Sequence, residues 1–375
     1  MPSIRALSPA VPSAALALGL AACSQSAAGS ALVAVTASDG ACQVETTTLP
    51  PGATTFAVHN TGRQTTEFYV YAENGTTIVS EVEDITPGMQ RDLTVELKPG
   101  RYVYACKPGQ VGAGIRGALT VTGATAAPAG DPRTAAAVAA YRTWAAGEAV
   151  QLLTATQDFA AAVKAGDVAT ARARYAPARV HWERIEPVAE SFGDVDPKLD
   201  ARENDVEPGQ EWTGWHRLEK QLWVSGLDAD SPALADRLVA DTKDLVTRMS
   251  GLELSASQLG NGAKELLDEV ATGKVTGEEE RYSHTDLWDF QANVDGAANA
   301  YRLLRPVVAQ RDASLAGELD NRFAQLDAEL AKYQRGNGFV GYDALTQPQI
   351  KTLADRVEGL SEPLSRLTVT VVAGQ

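Results

Sequence analysis

The segment from residue 181 to residue 223 concentrates side chains that bind metal ions. It holds His181 and His216, two of the four histidines of the chain, together with a dense set of aspartates and glutamates. Tryptophans and aliphatic residues are interleaved with these acids, whereas a solvated acidic tail would lack them. Carboxylate oxygens suit hard cations and imidazole suits borderline ones. The segment therefore predicts packed helices joined by a loop, with acidic side chains and a histidine that converge on a cation.

The first candidate ligands share one face of a helix. Glu183, Glu186 and Glu190 are three and four residues apart, so their side chains lie on the same side of an α-helix. Three stacked like charges repel one another unless a cation or a basic residue compensates them. Pro187 interrupts the pattern and should kink or end this helix. The alternative is a solvated acidic face paired with nearby arginines such as Arg179.

The second candidate is an HxxE pair. His216 and Glu219 are three residues apart, so both can reach the same ion from one helix face. A metallopeptidase with the H-x-x-E-H pattern would carry a second histidine where this chain has Lys220. The metallopeptidase hypothesis is therefore secondary. It requires an open metal position and a general base, for which Glu219 is the candidate.

A third polar segment spans residues 282–293 and contains His284, Asp286 and Asp289. A hydroxyl residue at position 283 or 285 is typical of a helix N-cap, and the two aspartates follow on one face of the predicted helix. Their simplest role is capping and buried hydrogen bonding that fix this helix to the first two. The other role is to orient the metal ligands through hydrogen bonds.

Helical periodicity begins after Pro132, where Ala, Leu, Arg and Glu recur at intervals of three and four residues. A Gly-Asp pair at positions 166 and 167, and Ser-Pro and Gln-Pro pairs further on, are helix stop and start signals. The predicted helices span residues 133–166, 168–192, 210–225, 231–254, 257–273, 278–308, 311–334 and 347–365. Residues 132–375 are therefore predicted to form an all-α bundle that holds the candidate ligands.

The preceding region has the pattern of a small all-β domain. Short β-rich runs at residues 32–37, 54–60, 67–72, 91–97, 102–106 and 118–121 are separated by turns rich in Pro, Gly and Asn. Regular spacing of strands and turns is typical of a β-sandwich. Residues 31–123 are assigned to this domain. The small, Pro-containing segment 124–131 is assigned as the linker between the domains.

The last two strands of this β-domain resemble those of a cupredoxin. A strand that ends in Cys106 leads into a Gly- and Pro-rich loop at residues 107–114 and then into a closing strand. A blue-copper site needs two histidines, a cysteine and usually a methionine, and this loop contains neither histidine nor methionine. A pair of cysteines in an exported protein favours a Cys42–Cys106 disulfide. The alternative is a second metal site, with copper as the candidate ion, to which Glu67 would contribute.

The N-terminus has the layout of a bacterial secretory signal. Arg5 precedes an apolar run that ends in the sequence LAAC, the last residue being Cys23. This ending resembles a lipobox, so residues 1–22 are predicted to be a lipoprotein signal peptide, Cys23 the lipidated residue and residues 23–30 a tether. The alternative is a plain signal peptide with an incidental cysteine. The lipoprotein hypothesis places the protein in the cell envelope, anchored to the outer face of the plasma membrane.

The net charge excludes one class of partner. The chain has 375 residues and a formal net charge of −15, whereas a non-specific nucleic-acid binder needs a positive surface. An acidic surface instead attracts cations. The length is sufficient for two domains with separate cores.

Long motifs in both domains resemble the EfeO iron-uptake family. In the helical domain they are HWERIEPVAE from His181, DAREND from Asp200, TGWHRLEK from Thr213 and RYSHTDLWDFQAN from Arg281; in the β-domain they are CQV from Cys42, TEFYVYA from Thr66 and CKPG from Cys106. The match covers nearly the whole chain after the signal. The resemblance implies a cupredoxin-like domain followed by an imelysin-like helical domain, a type historically grouped with metallopeptidases.

The resemblance also implies a function. Members of this family are expected to be cell-envelope proteins that bind ferric or ferrous iron beside a membrane permease and a secreted haem peroxidase. Gln110 stands where the family is expected to carry methionine, which argues against copper or redox chemistry in the N-terminal domain. The iron ligands that the resemblance implies are His216 and Glu219 of the HxxE motif, Glu183 and Glu186 of the acidic helix, and Asp205 or Asp200 to complete the set.

Overall fold

A computed structural model describes residues 31–124, 131–206 and 209–372. The predicted order of a β-sandwich followed by a helical domain is confirmed. The predicted signal peptide, the lipidation site Cys23, the tether and most of the predicted linker lie outside the described residues. No helix among the described residues combines the length and the apolar character that crossing a lipid bilayer requires.

The sandwich has one four-stranded and one five-stranded sheet. The first has the order β2-β1-β4-β7 and the second the order β3-β9-β8-β5-β6. Strand β1 runs parallel to β4 and β3 runs parallel to β9, while the other pairs are antiparallel. The strands are β1 (Ala31–Ser38), β2 (Ala41–Val44), β3 (Thr48–Leu49), β4 (Gly52–Asn60), β5 (Thr66–Ala72), β6 (Ile78–Ile85), β7 (Gln90–Leu97), β8 (Gly100–Cys106) and β9 (Ile115–Val121).

Alternating apolar residues fill the space between the two sheets. In β1 every second side chain is buried, as in Val33 and Val35, because successive residues of a strand point to opposite faces. Phe56 of β4 and Phe68 of β5 meet in the centre with ring centroids 5.4 Å apart. This core is separate from that of the helical domain. The sequence prediction missed β2, β3 and β6.

The second domain packs its helices around one apolar core, in which α1 contacts α2, α6 and α8. A π-helical turn at Gln221–Ser225 follows α5, and a single 3₁₀ turn at Lys274–Thr276 follows α7. A short hairpin of β10 (Gln334–Arg335) and β11 (Gly338–Phe339) lies between α9 and α10. The helices are α1 (Pro132–Lys164), α2 (Val168–Glu183), α3 (Glu186–Glu190), α4 (Asp196–Leu199), α5 (Trp215–Lys220), α6 (Ser231–Met249), α7 (Ala256–Thr272), α8 (Asp286–Arg311), α9 (Ala313–Leu330), α10 (Gln347–Leu364) and α11 (Leu367–Val372).

Capping residues explain where several helices begin. Asp131 and Asp167 accept hydrogen bonds from backbone N–H groups in the first turns of α1 and α2. Ser255 and Thr346 form capping boxes at the starts of α7 and α10. Each cap satisfies backbone donors that have no partner inside the helix.

Two predicted helices near the candidate ligands can be compared with the structure. The prediction that Pro187 breaks the acidic helix is confirmed, because α2 ends at Glu183 and Pro187 lies in the first turn of α3. The predicted helix 278–308 is wrong at its start: residues 278–285 form turns, and α8 begins at Asp286. His284 has φ 57°, a left-handed conformation that a continuous right-handed helix does not allow.

Helix α7 carries most of the specific contacts between the two domains. The Nδ2 of Asn261 donates to Ser80 Oγ and to the Thr94 carbonyl at 2.8 Å each. The Glu96 backbone N–H donates to Ser257 Oγ at 3.0 Å. Beside these contacts lies a cavity of about 1070 Å³. Acidic residues of both domains line it, including Glu81, Glu83, Glu190 and Glu265.

Candidate metal centre

The HxxE motif lies on the short helix α5, and a glycine fixes where that helix starts. Gly214 has φ 87° and ψ −164°, a conformation that favours glycine. A Cβ atom there would lie 2.2 Å from the Leu199 carbonyl oxygen. The start of α5 therefore packs directly on the end of α4. This close approach brings Asp200, the residue after α4, next to His216.

The imidazole of His216 lies among three carboxylates. Its Nδ1 is 3.2 Å from Glu219 Oε2, and its Nε2 is 3.4 Å from both Asp200 Oδ1 and Glu279 Oε1. The side chain is only 2% exposed. Nε2 makes no hydrogen bond within the described part of the chain. A buried nitrogen that faces two carboxylate oxygens without hydrogen-bonding either has the arrangement that a metal ion can complete.

Backbone groups hold the second HxxE residue in place. Glu219 Oε1 accepts hydrogen bonds from the backbone N–H groups of Tyr282 at 2.9 Å and Ser283 at 2.7 Å. Ser283 Oγ donates to Glu280 Oε2 at 2.9 Å. The turn at residues 278–285 therefore fixes two carboxylates at once. This turn is the same segment that the sequence predicted as helix.

The sequence prediction missed Glu279 and Glu280 as candidate ligands. Both are buried, whereas Glu278 beside them is exposed. The signal available in the sequence was the run of three glutamates, and a helical interpretation would spread these three side chains around the helix. Only the turn directs two consecutive carboxylates inward.

Among the described residues, possible ligand atoms form three overlapping groups, together the His216 cluster, in each of which they lie within 4.8 Å of one another. Two groups contain His216 and the third shares Asp200 with the first. The groups are Asp200, His216 and Glu279; His216, Glu219 and Glu280; and Glu186, Asp196 and Asp200. Carboxylates with one imidazole suit iron, zinc or manganese better than a soft ion.

The buried arginine of α2 compensates part of this negative charge. Arg179 donates through Nη1 and Nη2 to Asp200 and through Nη2 to Glu183, and its Nε is 2.5 Å from Glu280 Oε1. The Trp182 Nε1 also donates to Asp200 Oδ2, at 2.8 Å. Asp200 Oδ1 therefore faces His216 while it accepts a hydrogen bond from Arg179 Nη1, and Oδ2 is held by Arg179 Nη2 and Trp182.

A buried lysine compensates the acidic helix. Lys274 Nζ donates to Glu183 Oε2 at 2.6 Å and to Glu186 Oε2 at 3.3 Å, and it lies 3.1 Å from Glu269 Oε1. The lysine side chain is fully buried. Neither Arg179 nor Lys274 was recognised from the sequence as a buried cation, because basic residues next to acids usually lie on the surface.

The buried carboxylates titrate differently according to their neighbours. Burial raises the pKa of Asp200, but Arg179 and His216 lower it by more, so that it lies below its ordinary value. Burial raises the pKa of Glu183 to about 8, even though Lys274 opposes the shift. Burial and Glu219 raise the pKa of Glu280 to about 8. The cluster therefore has more buried carboxyl groups than its buried cations can compensate, and Glu183 and Glu280 are largely protonated at neutral pH.

The surrounding carboxylates also decide the protonation of the histidine. Burial and Arg179 lower the pKa of His216, but Asp200, Glu219 and Glu279 raise it by more, so that it lies well above its ordinary value. The imidazolium form is therefore favoured in the cation-free protein. A metal ion needs the neutral imidazole, so metal binding at this position releases a proton.

The structure groups the predicted ligands unequally. His216 lies with Asp200 in one group and with Glu219 in another, and Glu186 shares the third group with Asp200. Glu183 adjoins these groups through Arg179 and Lys274. Asp205 does not join the cluster.

Asp205, predicted as an aspartate that would complete the ligand set, is exposed and lies outside the three groups of possible ligand atoms. Its side chain is exposed and pairs with Arg202, whose Nε lies 2.7 Å from Asp205 Oδ2. The guanidinium of Arg202 also binds Glu279 at 3.1 Å, which places the arginine between Asp205 and the cluster. The loop after α4 turns Asp200 inward and Asp205 outward.

The residues predicted to support the ligands have distinct roles. Asp286 Oδ1 accepts from the Glu280 backbone N–H at 3.1 Å, so it helps to fix the turn. Asp289 is buried and lies 3.6 Å from Arg179 Nε. His284 contributes its backbone, since its N–H donates to the Glu280 carbonyl and its carbonyl accepts from Tyr342. Thr285 occupies the N-cap position of α8 but makes no side-chain capping hydrogen bond.

Comparison with known proteins identifies both domains. Residues 137–367 match the family model described as imelysin, and residues 11–121 match the model described as a cupredoxin-like domain. A protein of Yersinia pestis named iron uptake system component EfeO is 40% identical over 359 residues, which cover 94% of each chain. A protein of the same name from Escherichia coli O157:H7 is 39% identical over 342 residues, covering 89% of this chain and 90% of its own. The chain belongs to the EfeO family.

In this EfeO-family chain the cysteines of the cupredoxin-like domain are joined to each other. Cys42 at the start of the sandwich and Cys106 at the end of β8 form a disulfide that links the two sheets. Thiolate ligation by this pair would require the bond to be reduced. Gln110, where the resemblance implied methionine, donates to Glu67 Oε1 at 3.1 Å and to Asp84 Oδ1 at 2.9 Å.

The carboxylate of Glu67 has several partners in this EfeO-family domain. Besides Gln110, it accepts a hydrogen bond from the Tyr69 hydroxyl at 2.9 Å and lies 3.6 Å from Lys107 Nζ. Burial raises the pKa of Glu67, although Lys107 and Tyr69 oppose the shift. Glu67 belongs to a hydrogen-bonded network, and His59, the histidine of this domain, is exposed on another strand.

Proposed function

We propose that this chain is the cell-envelope iron-binding component of an EfeO-type uptake system, which captures iron at the His216 cluster and delivers it to a membrane permease. The observation that carries this proposal is the buried Nε2 of His216. It faces Asp200 and Glu279 at 3.4 Å each and has no hydrogen-bond partner among the described residues. The relatives from Yersinia pestis and Escherichia coli carry the name iron uptake system component.

The donor set favours iron as the cargo. Ferric iron is a hard cation that prefers oxygen ligands, and ferrous iron accepts carboxylates together with imidazole. Asp200, Glu279 and Glu219 supply carboxylate oxygens around the single imidazole. The excess of buried carboxyl groups favours a multivalent cation, because such an ion compensates several carboxylates at once as their protons are released.

The metallopeptidase alternative is weaker because of what Glu219 already does. A general base needs a free carboxylate oxygen beside a metal-bound water. Glu219 Oε1 accepts two backbone hydrogen bonds, and Glu219 Oε2 lies 3.2 Å from His216. This carboxylate is therefore suited to orienting the histidine or binding an ion, and both oxygens are engaged.

The proposal also covers the cellular location of the protein and its partner proteins. The LAAC sequence that ends at Cys23 supports export and a lipid anchor on the outer face of the plasma membrane. A protein anchored there can pass its cargo to a permease in the same membrane, and a secreted haem peroxidase is the proposed third component. The lipid anchor can be tested by treating the bacterium that produces this protein with globomycin, because this treatment should block maturation at Cys23.

The test of iron binding is a double substitution in the HxxE motif. We expect His216→Ala combined with Glu219→Ala to weaken iron binding by at least about a hundredfold, because loss of one oriented ligand or its support typically lowers affinity about 10- to 100-fold. Calorimetry with ferrous iron under anaerobic conditions measures the affinity of the full chain. The matched control is His59→Ala, which removes an exposed histidine of the sandwich. An unchanged affinity in the double variant would defeat the assignment of the site.

A further inference from the structure

The buried ammonium group of Lys274 pairs with Glu186, which forms a group of possible ligands with Asp196 and Asp200, and with the neighbouring Glu183. Lys274 Nζ is 2.6 Å from Glu183 Oε2 and 3.3 Å from Glu186 Oε2. All three side chains are buried, with exposed fractions between 0% and 4%. A lysine in such a site is a compact point charge with three donors. It pairs with the carboxylate of Glu186, which the third ligand group would offer to a metal ion.

The two buried cations of the cluster differ in how firmly the fold holds them. Arg179 lies within the regular helix α2, and its planar guanidinium binds Asp200 through two nitrogens. Lys274 lies on a single 3₁₀ turn between Gly273 and Gly277, and Gly277 has φ 75°. A flexible side chain on a short turn flanked by glycines can move with little disturbance of the core.

The surroundings of Lys274 also provide a second position for its charge. Glu269 Oε1 lies 3.1 Å from Nζ, and the Glu269 side chain is 32% exposed. Glu269 lines the cavity between the domains, whereas Glu183 and Glu186 point into the cluster. An ammonium group that leaves Glu183 can therefore remain paired with Glu269 and gain contact with solvent.

We propose that Lys274 is a tethered internal cation that competes with the cargo ion for Glu183 and Glu186. This inference rests on the proposed function, since it concerns the affinity of the same cluster. The ammonium and a metal ion cannot share these oxygens, because like charges a few ångströms apart repel strongly in a buried site. Binding of the ion displaces Lys274 towards Glu269, and return of the ammonium helps to release the ion. Lys274 thereby lowers the affinity of a cluster that must deliver its cargo.

The decisive variant is Lys274→Met, which removes the charge and keeps an unbranched apolar side chain. Competition predicts that this variant binds zinc(II) and, under anaerobic conditions, iron(II) more tightly than the wild type, by about tenfold, a coupling of ordinary size. It also predicts a lower melting temperature without metal, because the carboxylates lose their partner, and a larger rise on adding metal. Lys274→Arg keeps the charge and should bind no more tightly than the wild type.

The control is Lys332→Met, which removes an exposed lysine that pairs with Glu329. Calorimetric titration of the full chains, with melting curves for each, separates the outcomes. Tighter binding by Lys274→Met supports competition, because a purely structural ion pair would not raise affinity when broken. If the wild type binds the ions and Lys274→Met binds them equally well or more weakly, the inference about Lys274 is overturned while the proposed function stands. A wild type that binds neither ion overturns the proposed function and the inference with it.

Discussion

Substitution of Asp200 by asparagine tests whether this carboxylate joins the ion site to the buried arginine. Asp200 accepts two hydrogen bonds from Arg179 and one from Trp182. Hydrogen bonds to a charged group contribute about 1.5–3 kcal/mol each, against about 0.5–1.5 kcal/mol for neutral ones. Asparagine keeps one acceptor oxygen, so the expected loss in the free energy of unfolding is about 3 kcal/mol. Because Arg179 still pairs with Glu183 and Glu280 in this variant, the loss in the free energy of unfolding stays near the lower end of the about 3–5 kcal/mol that breaking a buried ion pair costs.

The assay is urea or thermal unfolding of the metal-free chain, followed by metal titration. For a helical domain of this size a loss of about 3 kcal/mol lowers the melting temperature by about 6–12 °C. Asp200→Asn should also weaken metal binding about 10- to 100-fold, because the oxygen that faces His216 loses its charge. The matched control is Asp205→Asn, whose exposed carboxylate pairs with Arg202. Its expected change in stability is within about 0.5 kcal/mol.

The difference between wild type and Asp200→Asn should depend on pH with a defined sign. The folded pKa of Asp200 lies below its ordinary value, so its carboxylate stabilises the folded state above the unfolded pKa of about 3.9. That contribution is lost as the pH falls through the folded pKa. The two proteins should therefore differ most at pH 5–7 and converge in stronger acid. A difference that grows on acidification, or an Asp205→Asn variant as unstable as Asp200→Asn, would refute the role assigned to Asp200.

Two further predictions concern a glycine of the helical domain and the disulfide of the sandwich. Gly214→Ala should weaken metal binding by at least about tenfold, because its Cβ would lie 2.2 Å from the Leu199 carbonyl oxygen and push α5 away. The control is Gly147→Ala, whose added Cβ meets no atom within 4 Å. Equal metal affinities of these two variants in calorimetry would contradict this account. Cys42→Ser with Cys106→Ser should destabilise the sandwich by about 2–5 kcal/mol in urea unfolding and leave metal affinity unchanged. A loss of affinity in that double variant would instead make the cysteines ligands.

The sequence was sufficient for the parts of the site that follow helical spacing. His216 and Glu219 lie close together because residues three apart share a helix face. Glu183 and Glu186 belong to different helices, α2 and α3, and both carboxylates bind Lys274. The acidic helix breaks before Pro187, which cannot continue the hydrogen-bond ladder. The order of the two domains followed from the change in hydrophobic period, from alternation in the sandwich to helical spacing after Pro132.

The positions of the remaining candidate ligands depend on loop geometry that residue spacing does not encode. Glu279 and Glu280 turn inward because the segment before α8 is a turn with His284 in a left-handed conformation. The choice of Asp200 over Asp205 depends on Arg202, which pairs with the second aspartate and with Glu279. The contact between Arg202 and Glu279 joins residues 77 positions apart, and a single sequence contains no local signal for it.

The burial of basic residues was also not predicted from the sequence. Arg179 was interpreted as a surface partner of the acidic helix, yet its side chain is fully buried among carboxylates. Charged residues are seldom fully buried unless they are paired, so a basic residue inside a predicted metal site indicates an internal counter-ion. The number of acidic residues in a sequence segment therefore overstates the charge that is left for a metal.

Helix α7 runs from the sandwich to the His216 cluster. Asn261 near its start is bonded to Ser80 and Thr94 of the sandwich, and Lys274 follows its last residue, Thr272, after a single glycine. The eleven steps from Asn261 to Thr272 span roughly 17 Å of rigid helix. A change at the sandwich end of α7 would therefore be transmitted along this helix to the ammonium group that pairs with Glu183 and Glu186.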